Sequence, residues 1–323
     1  MNVRKPLFVF VNLLLLPVAT QALIVYDANS NSNDYNISVP SSPTIDDPTT
    51  VLWNNVAQIC NTDGTPNASG VYLGNGFILT ANHVNGTRYF IGGTECAVDT
   101  SYGSNGTMQV TNSSSVGLDL KLVKIQSPPS PDGIQMMTGS QSALSSYSLY
   151  IGWGVGKGDP QITDPATLGW TWGNSTTATE RWGRNVTLNS NYNFTDNPNT
   201  YLATLFNRTL FLSPAAYNND VFSLSLGDSG GGLFEYVNSQ WMLAGIGDAV
   251  STDGSSYYDR AGLPDSSFFV SMPAHSQDVL NAIPEPSPFA LALFTLLAAL
   301  MIRRFAPAIG TLTRCFVSSG LSL

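Results

Sequence analysis

Charge is what this chain has least of. Charged residues make up 11 % of its 323 residues, against roughly 25 % in an average soluble domain, and no run of like charges occurs. Thirteen Lys and Arg stand against 22 Asp and Glu, a net charge of −9. No basic patch is available to neutralise phosphates, which argues against a nucleic-acid partner. Histidine is nearly absent, with His83 and His275 alone, so an imidazole base has two candidates. Cysteine is scarce: Cys60, Cys96 and Cys315. No fixed-period repeat is found. No apolar run reaches the roughly 20 residues of a stable membrane-spanning helix. The C-terminal run Phe289 to Ile302 stops at fourteen.

What is present is apolar content of 43 %, enough for one large domain or two small ones. Polarity comes from Asn, Ser, Thr and Gly. Residues 1–22, MNVRKPLFVFVNLLLLPVATQA, have a basic start, an apolar centre and a small-residue end. This is the pattern of a secretory signal peptide, which is set apart from the fold. Residues 23–50 include DANSNSNDYN and PSSPTIDDP, low in hydrophobicity and rich in turn formers, so a flexible lead segment is expected. Nine Asn-x-Ser/Thr triplets occur; in a chain of this composition they are read as unmodified.

From Val51 onward, short apolar runs alternate with Gly, Asn, Ser and Pro clusters: GVYLG, GFILTA, LDLKLVKI, YSLYIGWG, VFSLSL, WMLAGIG. Many short strands and few helix signals predict an all-β barrel or sandwich. A short C-terminal helix is expected to start at Pro273, with Val279, Leu280 and Ile283 as its apolar face. His275 is expected at its solvated surface. Cys60 and Cys96 form an even pair in the exported body and are expected to make one disulfide, closing about 37 residues for about 3–4 kcal/mol; two buried thiols are the alternative.

Three stretches carry chemistry. In GNGFILTANHV an apolar strand leads into Thr80-Ala81-Asn82-His83, and a strand end can hold a general base at the edge of a cleft. In VGLDLKLVKI, Asp119 sits among apolar residues. A buried carboxylate is costly unless paired, and an imidazole N–H would be a good partner. The alternative is a strand-edge residue paired with Lys121 or Lys124. In GDSGGGLF, glycines flank Asp228 and Ser229. A nucleophile needs an exposed hydroxyl beside backbone N–H groups that can hold an oxyanion; a Gly-rich hairpin is the plain alternative.

In the order His, Asp, Ser, these stretches resemble the trypsin/chymotrypsin-like serine proteases, across roughly residues 50–282. Thr80-Ala81-Asn82-His83 is similar to the family's histidine motif, the Asp119 strand to its aspartate strand, and Gly227 to Gly231 to its serine motif. Gly152-Trp153-Gly154 resembles a further segment. The resemblance implies two packed six-stranded antiparallel β-barrels in a protease domain, 51–282. It implies Ser229 as nucleophile, His83 as base and Asp119 as its orienter, with Gly227 and Ser229 as oxyanion donors and no metal or cofactor. It implies a protein or peptide substrate, with Ser223 at the pocket base and Asp248, Ala249 and Val250 on its wall. An uncharged base makes a basic preference unexpected; a small or medium apolar residue before the cut is expected. Asp248 has a second candidate place, behind His83 and Asp119. The family's frequent Ile-Val start, which inserts beside the acid next to the serine, has a counterpart in Ile24-Val25; otherwise Asp228 needs another partner. A catalytically silent binding protein on the same scaffold is the alternative reading.

Residues 283–304, with Pro284-Glu285-Pro286, the apolar run and Arg303-Arg304, resemble the PEP-CTERM sorting signal of exported bacterial proteins. That implies a transient inner-membrane anchor, a processing peptidase as partner, and release to the periplasm, cell surface or outside. The tail 305–323 extends past the usual end of that signal. An ordinary membrane anchor is the alternative.

Overall fold

The computed structural model describes residues 23–26, 36–41, 47–129, 132–139, 147–164, 167–188, 195–196, 198–207, 220–250, 254–260 and 264–284. The expected signal peptide, the sorting signal beyond Pro284, the tail and Cys315 lie outside them. Met1–Ala282 form one compact unit and Ile283–Leu323 a second. Among the described residues no helix is long and apolar enough to cross a membrane.

The first unit is antiparallel β, as expected. Its elements run β1 (Ile24–Val25), α1 (Thr50–Asn54), β2 (Val56–Cys60), β3 (Pro66–Gly74), β4 (Phe77–Thr80), β5 (Arg88–Ile91), β6 (Thr94–Cys96), β7 (Thr107–Thr111) and β8 (Gly117–Lys124). They continue with β9 (Tyr147–Gly152), β10 (Lys157–Asp164), β11 (Thr167–Trp172), β12 (Arg181–Val186), β13 (Thr195–Asp196), β14 (Asn199–Leu205), β15 (Phe222–Ser223), β16 (Gly232–Val237), β17 (Gln240–Val250), β18 (Ser255–Arg260), β19 (Ser266–Ser271) and α2 (Met272–Ala282). The strands pair into a seven-stranded sheet β6-β5-β2-β3-β4-β8-β7 and a second one β12-β9-β16-β17-β19-β14-β13. A three-stranded sheet β10-β11-β18 and the pair β1-β15 complete them.

The first four residues of the lead segment depart from the flexible arm expected. Leu23, Ile24 and Val25 are buried, and β1 pairs with β15, Ile24 opposite Ser223. Side chains of a strand alternate between faces, and both faces of this one are covered. Leu23 and Val25 pack with Tyr150, Phe222, Leu233 and Phe269, while Ile24 and Tyr26 enter an aromatic cluster with Trp170, Phe206 and Tyr258. Four apolar residues directly after the expected signal site outweigh the polar composition that follows them.

The cysteines are also corrected: Cys60 and Cys96 are both free and buried. Cys60 lies opposite Arg88 and Cys96 opposite Tyr89, on strands separated by β5. Two strand spacings are about 9.5 Å, beyond the roughly 7 Å Cα limit for a bridge. Arg88 and Tyr89 are adjacent, so the two thiols also leave opposite faces. Desolvation raises both thiol pKa values.

Helix α2 buries Met272, His275, Ser276 and Val279, the i, i+3, i+4, i+7 stripe of one face. Leu280, expected on that face, is exposed, and His275, expected in solvent, is buried. His275 Nε2 accepts from Thr200 N–H at 3.0 Å, and Nδ1 lies 3.1 Å from Asp278 Oδ2. These polar partners make burial of an imidazole tolerable.

Candidate active site

From Leu118 to Leu122 β8 alternates: Leu118, Leu120 and Leu122 are buried, while Asp119 and Lys121 face the other way, half-buried. β4 runs beside it with Thr80 opposite Lys121, so the turn after Thr80 brings His83 above Asp119. His83 Nδ1 lies 2.7 Å from Asp119 Oδ2, and the His83 backbone N–H donates to Oδ1 at 2.9 Å. Ring and main chain are thus held by one carboxylate. Neither lysine takes the pairing role considered for Asp119. Lys121 Nζ donates to the carbonyls of Asn82 and Val84, bracing the His83 turn, and Lys124 Nζ donates to Asn75 O.

Asp248 takes the second of its two candidate places. Its Oδ1 is 3.4 Å from His83 Nδ1, its carboxyl lies within 4.8 Å of that of Asp119, and the Tyr201 hydroxyl is a further polar neighbour. Asn199 completes the support: Oδ1 accepts from Asp119 N–H at 2.9 Å and Nδ2 donates to the Tyr201 hydroxyl at 3.2 Å. The hydrogen bond to Asp119 raises the His83 pKa, with desolvation opposing. Burial would raise the Asp119 carboxyl, but bonds from His83 and Asp248 reverse this and hold it well below the usual carboxylate range. Burial, then the bond to Asp119, pushes Asp248 up to about 7. The three groups offer atoms within 4.8 Å of one another, the one such cluster among the described residues. Within the cluster, His83 Nδ1 faces both carboxylates, at 2.7 Å and 3.4 Å.

Ser229 lies in the turn between β15 and β16. Gly227 and Gly230 have φ of +91° and +89°, where a side chain is strained; a Cβ on Gly230 would also meet Ser69 O and Thr80 Oγ1 at 2.1 Å. The turn is stitched to both large sheets. Ser69 of β3 donates its N–H to Ser229 O at 2.9 Å and its hydroxyl to Gly227 O at 3.1 Å. From β17, Gly247 O accepts Gly230 N–H at 2.7 Å. Among the described residues the N–H groups of Gly227 and Ser229 donate to no protein acceptor, and no hydrogen bond joins the Ser229 hydroxyl to His83.

Asp228 points the other way, fully buried. Its partners come from within the chain: Gly154 N–H to Oδ1 at 3.0 Å, and Ser225 N–H and Oγ to Oδ2 at 2.8 and 2.9 Å. No chain terminus is among these donors. Burial pushes its carboxyl up to about 7, against these donors and the Arg181 charge. The close approach explains Gly154, where a Cβ would meet Asp228 Cγ at 2.5 Å.

Of the expected pocket residues, Ser223 is fully buried, its hydroxyl donating to Leu224 O at 3.2 Å and accepting from Ser256 Oγ at 3.2 Å. Ala249 is exposed and Val250 is partly buried against the core. Ser69, Asn199, Tyr201 and His275 are supports that the sequence reading missed. No protein-family model and no curated protein matches the chain.

Proposed function

We propose that the protein is an exported serine endopeptidase of the trypsin/chymotrypsin-like kind, with its two large sheets in the role of that family's paired barrels. The observation that carries this reading is the two-point hold of His83 by Asp119. Such a hold fixes the tautomer with Nδ1–H toward the carboxylate and leaves Nε2 as base, the roles of the well-known serine-protease triad. Ser229 Oγ would attack the scissile carbonyl while His83 takes its proton. The unpaired amides of Gly227 and Ser229 would receive the oxyanion, and protonated His83 would return the proton to the leaving amine. By the family resemblance, Ser223 and Val250 would belong to an uncharged, narrow pocket, for a small or medium apolar residue before the cut. Export, a transient membrane anchor and processing near residues 283–304 belong to the same reading and rest on the sequence.

A second reading, a silent binding protein on this scaffold, is favoured by the missing Ser229–His83 hydrogen bond. Catalytic hydrogen bonds in substrate-free enzymes are often long and tighten on binding, so the first reading is kept. A fluorophosphonate probe, applied to the full-length protein in EDTA, decides between them. Labelling that Ser229→Ala abolishes is the expected result. A folded, unlabelled wild type would favour the silent scaffold. A peptide library then reads the residue before the cut.

A further inference from the structure

β17 pairs with β19 through Gly247, opposite Phe269, and resumes with Ala249 opposite Phe268. Asp248 is therefore the extra residue of a β-bulge. A bulge takes a residue out of the ladder and re-aims its side chain. Here it tucks the Asp248 side chain inward, 8 % exposed, beside His83, while Ala249 stays at the surface. The carboxyl ends within 4.8 Å of that of Asp119, with the Tyr201 hydroxyl as its other neighbour.

Two ionised carboxylates are acceptors only, so a hydrogen bond between them requires a proton. We propose that Asp248 is a positioning residue that shares one proton with Asp119, so that neutral Asp248 steers the Asp119 carboxylate onto His83 and loss of the proton switches the triad off. The switching of activity rests on the serine-peptidase reading; the shared proton does not.

The titratable groups facing the pair are His83, Lys121 and Tyr201, with His275 and Asp278 one step further out through Thr200. With a cluster charge of −1 on His83, Asp119 and Asp248, one proton beyond the Asp119 carboxylate has two places. On Asp248 it leaves His83 neutral and able to accept the Ser229 proton. On His83 it blocks the base. The Asp119–Asp248 bond exists only in the first arrangement and favours it. Release of this proton to solvent leaves two like charges in contact, and Asp119 loses its support. Burial pushes Asp248 up to about 7, which puts the release in the neutral range.

The test compares full-length wild type, Asp248→Asn and Asp248→Ala. The rate of fluorophosphonate labelling at Ser229 is followed from acid to alkaline pH. The expected wild-type profile rises as His83 deprotonates and falls again on an alkaline limb. Asp248→Asn, whose amide donates to Asp119 at every pH, should lose that limb and label at least tenfold faster than Asp248→Ala. An Asp248→Asn profile that keeps the limb overturns the proposal, as does an alanine variant that labels as fast as the asparagine one. Because the chain has only His83 and His275, ring NMR reads the cluster without turnover. His83 should titrate in two steps in the wild type and in one step in Asp248→Asn. One step in both proteins overturns the shared proton. Two steps in a wild type that never labels would keep the shared proton and remove the peptidase reading.

Discussion

Asp228 and Asp248 are both pushed up to about 7 by burial, and they are held in opposite ways. Around Asp228 the neighbours are donors: two backbone N–H groups, the Ser225 hydroxyl and, at longer range, the Arg181 charge. Against Asp248 stands another carboxylate, within 4.8 Å, and Tyr201 is its donor. The first acid anchors the turn that carries Ser229; the second leans on the acid that orients His83. A carboxyl among donors cannot be replaced by an amide, because one amide end must meet an N–H. A carboxyl against an acceptor can be.

The largest expected effect tests that asymmetry. In Asp228→Asn, either orientation of the amide sets its NH2 against Gly154 N–H or Ser225 N–H. One buried donor is stranded, at a cost of about 3 kcal/mol, the upper end for such a loss. Urea denaturation should show this, together with loss of Ser229 labelling. Asp248→Asn should cost no more than about 1 kcal/mol, the scale of one ordinary hydrogen bond. Equal losses for the two variants would break the comparison.

Next in size is the pH dependence of stability. Both acids are raised from about 3.9 when unfolded, so the folded state binds more protons than the unfolded state between about pH 4 and 7. Their contribution is complete below pH 4 and is lost as the pH rises toward 7, at a limit of about 1.4 kcal/mol per pH unit for each group. His83, also raised, has the same sign: its contribution is present below about 6.5 and lost above its folded value. Asp119 is depressed and has the opposite sign, its contribution vanishing as the pH falls below about 4. Urea midpoints measured from pH 4.5 to 8 should therefore fall, and Asp248→Asn should flatten the slope without removing it, because Asp228 remains. A slope unchanged in that variant would mean that Asp248 carries no extra proton.

The candidate site residues were legible in the sequence where each motif is local in the chain. Thr80 to His83 ends a strand, Asp119 lies 36 residues on in an alternating strand, and Gly227 to Gly231 makes a turn. What the sequence did not disclose depends on register. The Cys60–Cys96 pairing fails because β5 lies between their strands. His275 is buried because the stripe of α2 begins at Met272, not at Val279. Strand β1 is placed by pairing with residues nearly 200 positions away. For Asp248 a signal did exist: Gly245 and Gly247 interrupt the strand pattern in WMLAGIGDAV, and glycine inside a strand pattern points to a bulge. It could mark the place but not the direction in which the carboxyl would turn.

A smaller effect asks whether the two acids belong to separable halves of the site. The Ser69 hydroxyl donates to Gly227 O and accepts from Trp153 N–H at 2.8 Å, both on the Asp228 side. Ser69→Ala should cost about 1–2 kcal/mol in urea and slow Ser229 labelling by loosening the turn. The NMR titration of His83 should stay where it is. A moved titration would mean that the halves are coupled through β3.

The smallest effect lies on the other side. The Tyr201 hydroxyl donates to Asp248 and favours its charged form, while accepting from Asn199 Nδ2. Tyr201→Phe removes that donor and leaves Asp119 as the partner that needs the proton. Asp248 should then hold its proton to higher pH, and the alkaline limb of labelling should move upward. The shift should stay under about one pH unit, since one pKa unit corresponds to 1.36 kcal/mol and a neutral hydrogen bond contributes about 1 kcal/mol. The same substitution leaves the donors around Asp228 untouched, so labelling at acid pH should change little. A limb that moved downward would mean that Tyr201 holds Asp248 neutral, and the contrast between the two acids would have to be redrawn.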